Sequence, residues 1–101
     1  MSEEKQKNPA QLSDNIVLIG KKPIMSYVIA CLTFFNSGAQ KVVLKARGRA
    51  ISRAVDTVEL LRRAFLKDLQ LKDIQIGTDE VASGEGQKTN VSTIEITVTK
   101  S

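Results

Sequence analysis

Two short apolar runs constrain what this chain can fold into. Ile16 to Ile19 in "NIVLIG" and Val42 to Leu44 in "KVVLKA" are consecutive branched or aliphatic residues, the mark of strands buried on both faces. Between them Pro23 suits a first helical position, Ile24, Val28, Cys31, Leu32 and Phe35 recur at three- and four-residue steps, and Gly38 supplies a stop, which predicts a helix of about 14 residues. Two strands joined through a helix lie parallel in one sheet, so the turns that follow them emerge at the same end of it.

The pattern returns to helical period from Arg49, with Ile51, Val55, Val58, Leu61 or Ala64, and Phe65 on one face. The last third alternates instead. Ile74 and Ile76 recur in period two, as do Ile94, Ile96 and Val98, with Thr93, Glu95, Thr97 and Thr99 facing outward. Leu69 and Leu71 are out of phase with Ile74 and Ile76, which places a bulge near Lys72 or Asp73. The polar, glycine-bearing "GTDEVASGEGQKTN" between these strands reads as a long hairpin whose tip projects from the body. The expected fold is α+β: a two-layer βαβαββ sandwich with a mixed four-stranded sheet, two helices on one face and a long β-hairpin arm. Residues 1–14 are polar and mixed in charge, with Pro9 and no periodicity, and read as a flexible arm before a single domain over residues 15–101.

Composition narrows the chemistry. The chain has 101 residues, room for one domain. It has no apolar run of about 18 residues for a spanning helix, and its first residues lack the apolar segment of a signal peptide. A single cysteine makes no intramolecular disulfide, so an intracellular setting is expected. Histidine is absent, which removes the commonest general base and metal ligand together. Cys31 sits among apolar residues in "VIACLTFF" and reads as a core thiol. Asp79, Glu80 and Glu85 would have to hold a metal for a nuclease-like reading, yet they fall in the hairpin arm with no framing strand end. No catalytic residue, metal or cofactor is therefore expected, and the chain is not read as an enzyme.

Charge is the informative feature. Residues 15–55 carry seven basic side chains (Lys21, Lys22, Lys41, Lys45, Arg47, Arg49 and Arg53) and no acid. Residues 56–101 carry six basic side chains against eight acids. Arg49 and Arg53 also open a helix, whose positive end disfavours cations, whereas Arg62 and Arg63 fall in its last turn, where cations are favoured. The basic clusters "GKKP" and "KARGR" occupy equivalent strand-to-helix turns, so Lys21, Lys22, Lys45, Arg47 and Arg49 should converge beside two helix N-termini. That constellation suits a polyanion. Gly48 between two arginines permits close backbone approach. "GKK" is not a nucleotide-binding P-loop, because the upstream glycine and the hydroxyl residue after the lysine are missing. The four aromatics, Tyr27, Phe34, Phe35 and Phe65, all fall in predicted helices, leaving no strand platform for stacked bases. Contact through phosphates of duplex DNA or structured RNA, indifferent to sequence, is favoured.

Taken together, "VLIGKKPIMSYVIACLT", "KARGRAISRAVDTVELLRRAFL" and "VSTIEI" resemble the Alba family of archaeal chromatin proteins over residues 15–100. The resemblance implies a homodimer, or a heterodimer with a paralogue, that coats and compacts double-stranded DNA in the cytoplasmic nucleoid, with RNA as an alternative partner. It implies backbone contacts from Lys21, Lys22, Lys45, Arg47 and Arg49. It also implies acetylation of Lys21, hence acetylating and deacetylating enzymes as partners, and a role for Phe65 in contacts between neighbouring dimers. Hairpins of the family often carry arginines near the tip to reach the minor groove, where this chain has Gln87, Lys88 and Asn90 beside Asp79, Glu80 and Glu85.

Overall fold

A computed structural model describes residues 15–82, 84 and 86–100. Among them the elements run β1 (Ile16–Leu18), α1 (Ile24–Asn36), β2 (Lys41–Arg47), α2 (Ala50–Leu60), a π-helical turn over Leu61–Phe65 that continues α2, β3 (Leu69–Ala82) and β4 (Lys88–Lys100). The sheet order is β1-β2-β4-β3, with β1 parallel to β2 and β4 antiparallel to both its neighbours. This is the expected α+β fold with a mixed four-stranded sheet and two helices. The flexible-arm reading of residues 1–14 lies outside the described residues.

The helices cover one face of the sheet. Val42, Leu44 and Ala46 of β2 and Ile94, Ile96 and Val98 of β4 alternate into the core, where they meet Tyr27, Val28, Cys31 and Phe35 of α1 and Ala54, Val58 and Leu61 of α2. α1 ends where Gly38 takes a φ of +101° and the Ala39 N–H bonds the Phe34 carbonyl at 3.0 Å, a left-handed stop that glycine adopts without strain. Burial pushes the Cys31 thiol up to about 12, so it stays protonated and inert as a nucleophile.

Two expectations are corrected. β1 is not buried on both faces: Leu18 is 72% exposed, because helices cover only one side of the sheet and β1 forms its edge. The buried face of α2 is Ala54, Thr57, Val58 and Leu61, while Val55 and Phe65 are exposed. The buried Thr57 escapes an unsatisfied hydroxyl by donating to the Arg53 carbonyl at 2.7 Å. The long hairpin expected here is present, with strand pairing continuing from Gly77↔Thr93 to Ala82↔Lys88.

The bulge falls where the phase change requires it. Leu71 pairs with Val98 and Asp73 with Thr97, leaving Lys72 as the extra residue. One unpaired residue restores the phase, so Leu71, Ile74 and Ile76 all face the same way as their partners Val98, Ile96 and Ile94. Those partners are buried, yet Leu71, Ile74 and Ile76 are 43%, 52% and 83% exposed. The helical layer stops at β4 and leaves an apolar stripe along β3.

Candidate functional site

The parallel pairing of β1 with β2 brings the two basic turns together. Leu18 lies beside Lys45 in the register, and the Ile19 N–H bonds the Lys45 carbonyl at 2.8 Å. The β1–α1 turn carrying Lys21 and Lys22 therefore sits next to the end of β2, which carries Arg47, and the β2–α2 turn, which carries Arg49, and all four residues are exposed. Neither helix that starts there has a side-chain cap or an acid in its first turn, so neither helix end has a carboxylate offsetting its positive pole. Gly48 takes a φ of +58° and donates its N–H to the Ser92 carbonyl at 2.8 Å. A Cβ there would meet Val91 at 3.4 Å and would also require a left-handed side-chain residue, so glycine lets the arginine turn fold back against the hairpin.

Among the described residues, Lys45 differs from the other four in having an acidic partner. It projects from the face of the sheet opposite the helices, where its ammonium lies 3.6 Å from a Glu95 carboxylate oxygen, both side chains about half exposed. Leu18, Arg47, Asp79 and Thr93 line the same shallow groove. The acid-free stretch 15–55 thus acquires acids from β3 and β4, which stack beside it only in the folded sheet.

Arg53 and Tyr27, which the charge pattern did not single out as site residues, hold the lysine turn. Arg53 Nε donates to the Gly20 carbonyl at 2.9 Å and Nη2 donates to the Lys22 carbonyl. From the other side the Tyr27 hydroxyl accepts the Gly20 N–H at 2.8 Å and the Lys22 N–H at 2.9 Å. The signal in the sequence was Arg53 itself, a cation in the first turn of a helix. Carbonyl partners offset the unfavourable macrodipole there. The β3–β4 arm leaves the body at the same end, since Thr93 pairs with Arg47 and the ladder runs on beyond it. Near its tip Lys88 lies 3.7 Å from Glu80. Among the described residues no group of three metal-ligating side chains gathers, and no helix is long and apolar enough to cross a membrane.

The Alba family model matches residues 15–78. This chain belongs to the Alba family. A protein of Methanocella arvoryzae described as "DNA/RNA-binding protein Alba" is 58% identical over 83 residues, which cover 82% of this chain and 86% of that protein. Alba from Thermoplasma volcanium superposes with a TM-score of 0.80 at 45% identity, covering 85% of this chain and 100% of the other. An Alba protein of Trypanosoma brucei superposes at 0.72 with 28% identity, covering 94% of this chain and 73% of that one. The Alba match thus begins at β1 and takes in both basic turns, the π-helical turn and the body of β3.

Proposed function

We propose that this Alba protein binds double-stranded DNA without sequence preference, through backbone phosphates, and coats and compacts it as a chromatin protein of the nucleoid. The observation that carries the reading is the shared position of Lys21, Lys22, Arg47 and Arg49, four exposed cations on adjacent turns above two helix starts without acids. Such a surface attracts phosphates by charge, a term indifferent to base sequence. Lys45 belongs to the same site in a lesser role, because a phosphate must compete with Glu95 for it. Structured RNA is the second reading, favoured by the "DNA/RNA-binding" description of the Methanocella arvoryzae relative and by the absence of a base-specific platform. Titrating duplex DNA and structured RNA of equal length at several salt concentrations tests both. Linear loss of log affinity with log salt on DNA supports phosphate coating. Tighter binding to the RNA at every salt concentration would reassign the main partner, and no binding to either at physiological salt would overturn the reading.

The working form is a homodimer. The apolar stripe of Leu71, Ile74 and Ile76 on the edge strand β3 lacks a helical cover within the chain, and a second copy related by a two-fold axis would supply one. Phe65, 44% exposed at the end of the π-helical turn, is assigned to contacts between neighbouring dimers.

Acetylation of Lys21 regulates binding in this reading, because the residue is exposed and precedes α1, where its charge adds to the positive pole of the helix. The charge-neutral mimic Lys21→Gln is expected to weaken DNA binding and to flatten its salt slope by about one unit for each phosphate no longer neutralised, with the unfolding midpoint unchanged or slightly raised. Affinity and slope equal to the parent's would withdraw the regulatory assignment.

A further inference from the structure

We propose that Arg53 and Tyr27 form a clasp that presets the Lys21–Lys22 turn for a phosphate backbone, with Arg53 acting as a positioning residue and not as a phosphate ligand. The inference deepens the reading of Lys21 and Lys22 as backbone contacts and rests on it. Between Gly20 and Lys22, two N–H groups and two carbonyls are held by just two side chains, one from each helix. Tyr27 is buried, at 7% exposure, so the core fixes where its hydroxyl stands, and that oxygen accepts both the Gly20 and the Lys22 N–H. Arg53 approaches from the first turn of α2 with Nε on the Gly20 carbonyl and Nη2 on the Lys22 carbonyl.

The chemistry is specific to arginine. Two donors on one edge of a rigid guanidinium span two carbonyls two residues apart, whereas the single ammonium of lysine has no such edge. Charge is therefore separable from geometry at this position: Arg53→Lys keeps the cation and loses the fork. With Nε and Nη2 committed to carbonyls, Arg53 serves the site by denying the turn its alternative conformations. A turn released from the clasp must be ordered on binding, which lowers affinity by about threefold to tenfold.

The test is a double-mutant cycle on the full chain, read by titration with mixed-sequence duplex DNA and by amide hydrogen exchange. Arg53→Lys is expected to lower affinity about threefold to tenfold in the parent, and to have almost no effect when Lys21→Gln and Lys22→Gln are already present, because the clasp acts only through those lysines. Tyr27→Phe should show the same coupling and faster exchange at the Gly20 and Lys22 amides. Equal losses from Arg53→Lys in both backgrounds, or no loss in the parent, would overturn the proposal. Should Lys21→Gln with Lys22→Gln leave binding untouched, the reading of the lysines fails; the clasp is then judged on exchange alone, and unaltered protection at Gly20 and Lys22 in Tyr27→Phe overturns it. Tyr27→Phe carries both measurements if Arg53→Lys does not fold.

Discussion

Replacing Arg47 and Arg49 together by alanine is expected to lower affinity for DNA of any sequence by about tenfold or more near 0.1 M salt, and to reduce the salt slope by about two units for each protomer engaged. Both side chains are exposed, Arg47 at the end of β2 and Arg49 in the turn after it, so the fold should be unaffected and the loss should be electrostatic. Each phosphate neutralised releases counterions, and the slope counts those events directly. Arg62→Ala is the control. It removes one charge, half of what the pair removes, from the π-helical turn beyond α2, where Arg62 lies 3.7 Å from Glu59, and should change binding little. A salt slope unaltered by the paired change, or an Arg62→Ala variant as damaged as the pair, would remove the site from this edge of the sheet.

Placing aspartate at both Ile74 and Ile76 should convert the proposed dimer to a monomer in light scattering at micromolar concentration, with the salt slope of DNA binding falling by about half. In the proposed homodimer three half-exposed or exposed apolar side chains per protomer would meet their copies across the two-fold axis, a burial worth on the order of 5–10 kcal/mol. Two aspartates per protomer abolish part of that gain and put like charges face to face. In the protomer itself these positions are largely open, so far-ultraviolet circular dichroism should remain that of the folded chain. A variant still dimeric would show that β3 does not form the interface.

Local patterns determined much of this. The spacing of Ile24, Val28, Cys31 and Phe35 specified α1, and alternation specified β4. The phase slip between Leu71 and Ile74 located the bulge at Lys72, because each of these is a property of neighbours along the chain and of one buried face. The convergence of Lys21 and Lys22 with Arg47 and Arg49 was also legible, since a helix between two strands forces them parallel. What local pattern could not decide was coverage. Leu18 and Ile76 read as core residues because hydropathy records what a side chain prefers and not whether another element arrives to bury it. For Ile76 the proposed homodimer would supply the missing cover.

Tertiary structure alone decided which cations remained available. Lys45 met Glu95 only because β2 and β4 pair, although 50 positions separate them in the sequence. Arg53, one more positive charge in an acid-free run, found its partners at Gly20 and Lys22 across 33 and 31 positions. Sequence thus determined the inventory of charge and the elements that carry it. Packing determined which charges were left facing outward, because hydrogen bonds and ion pairs form between groups close in space, and the sheet register and the docking of α2 set those distances.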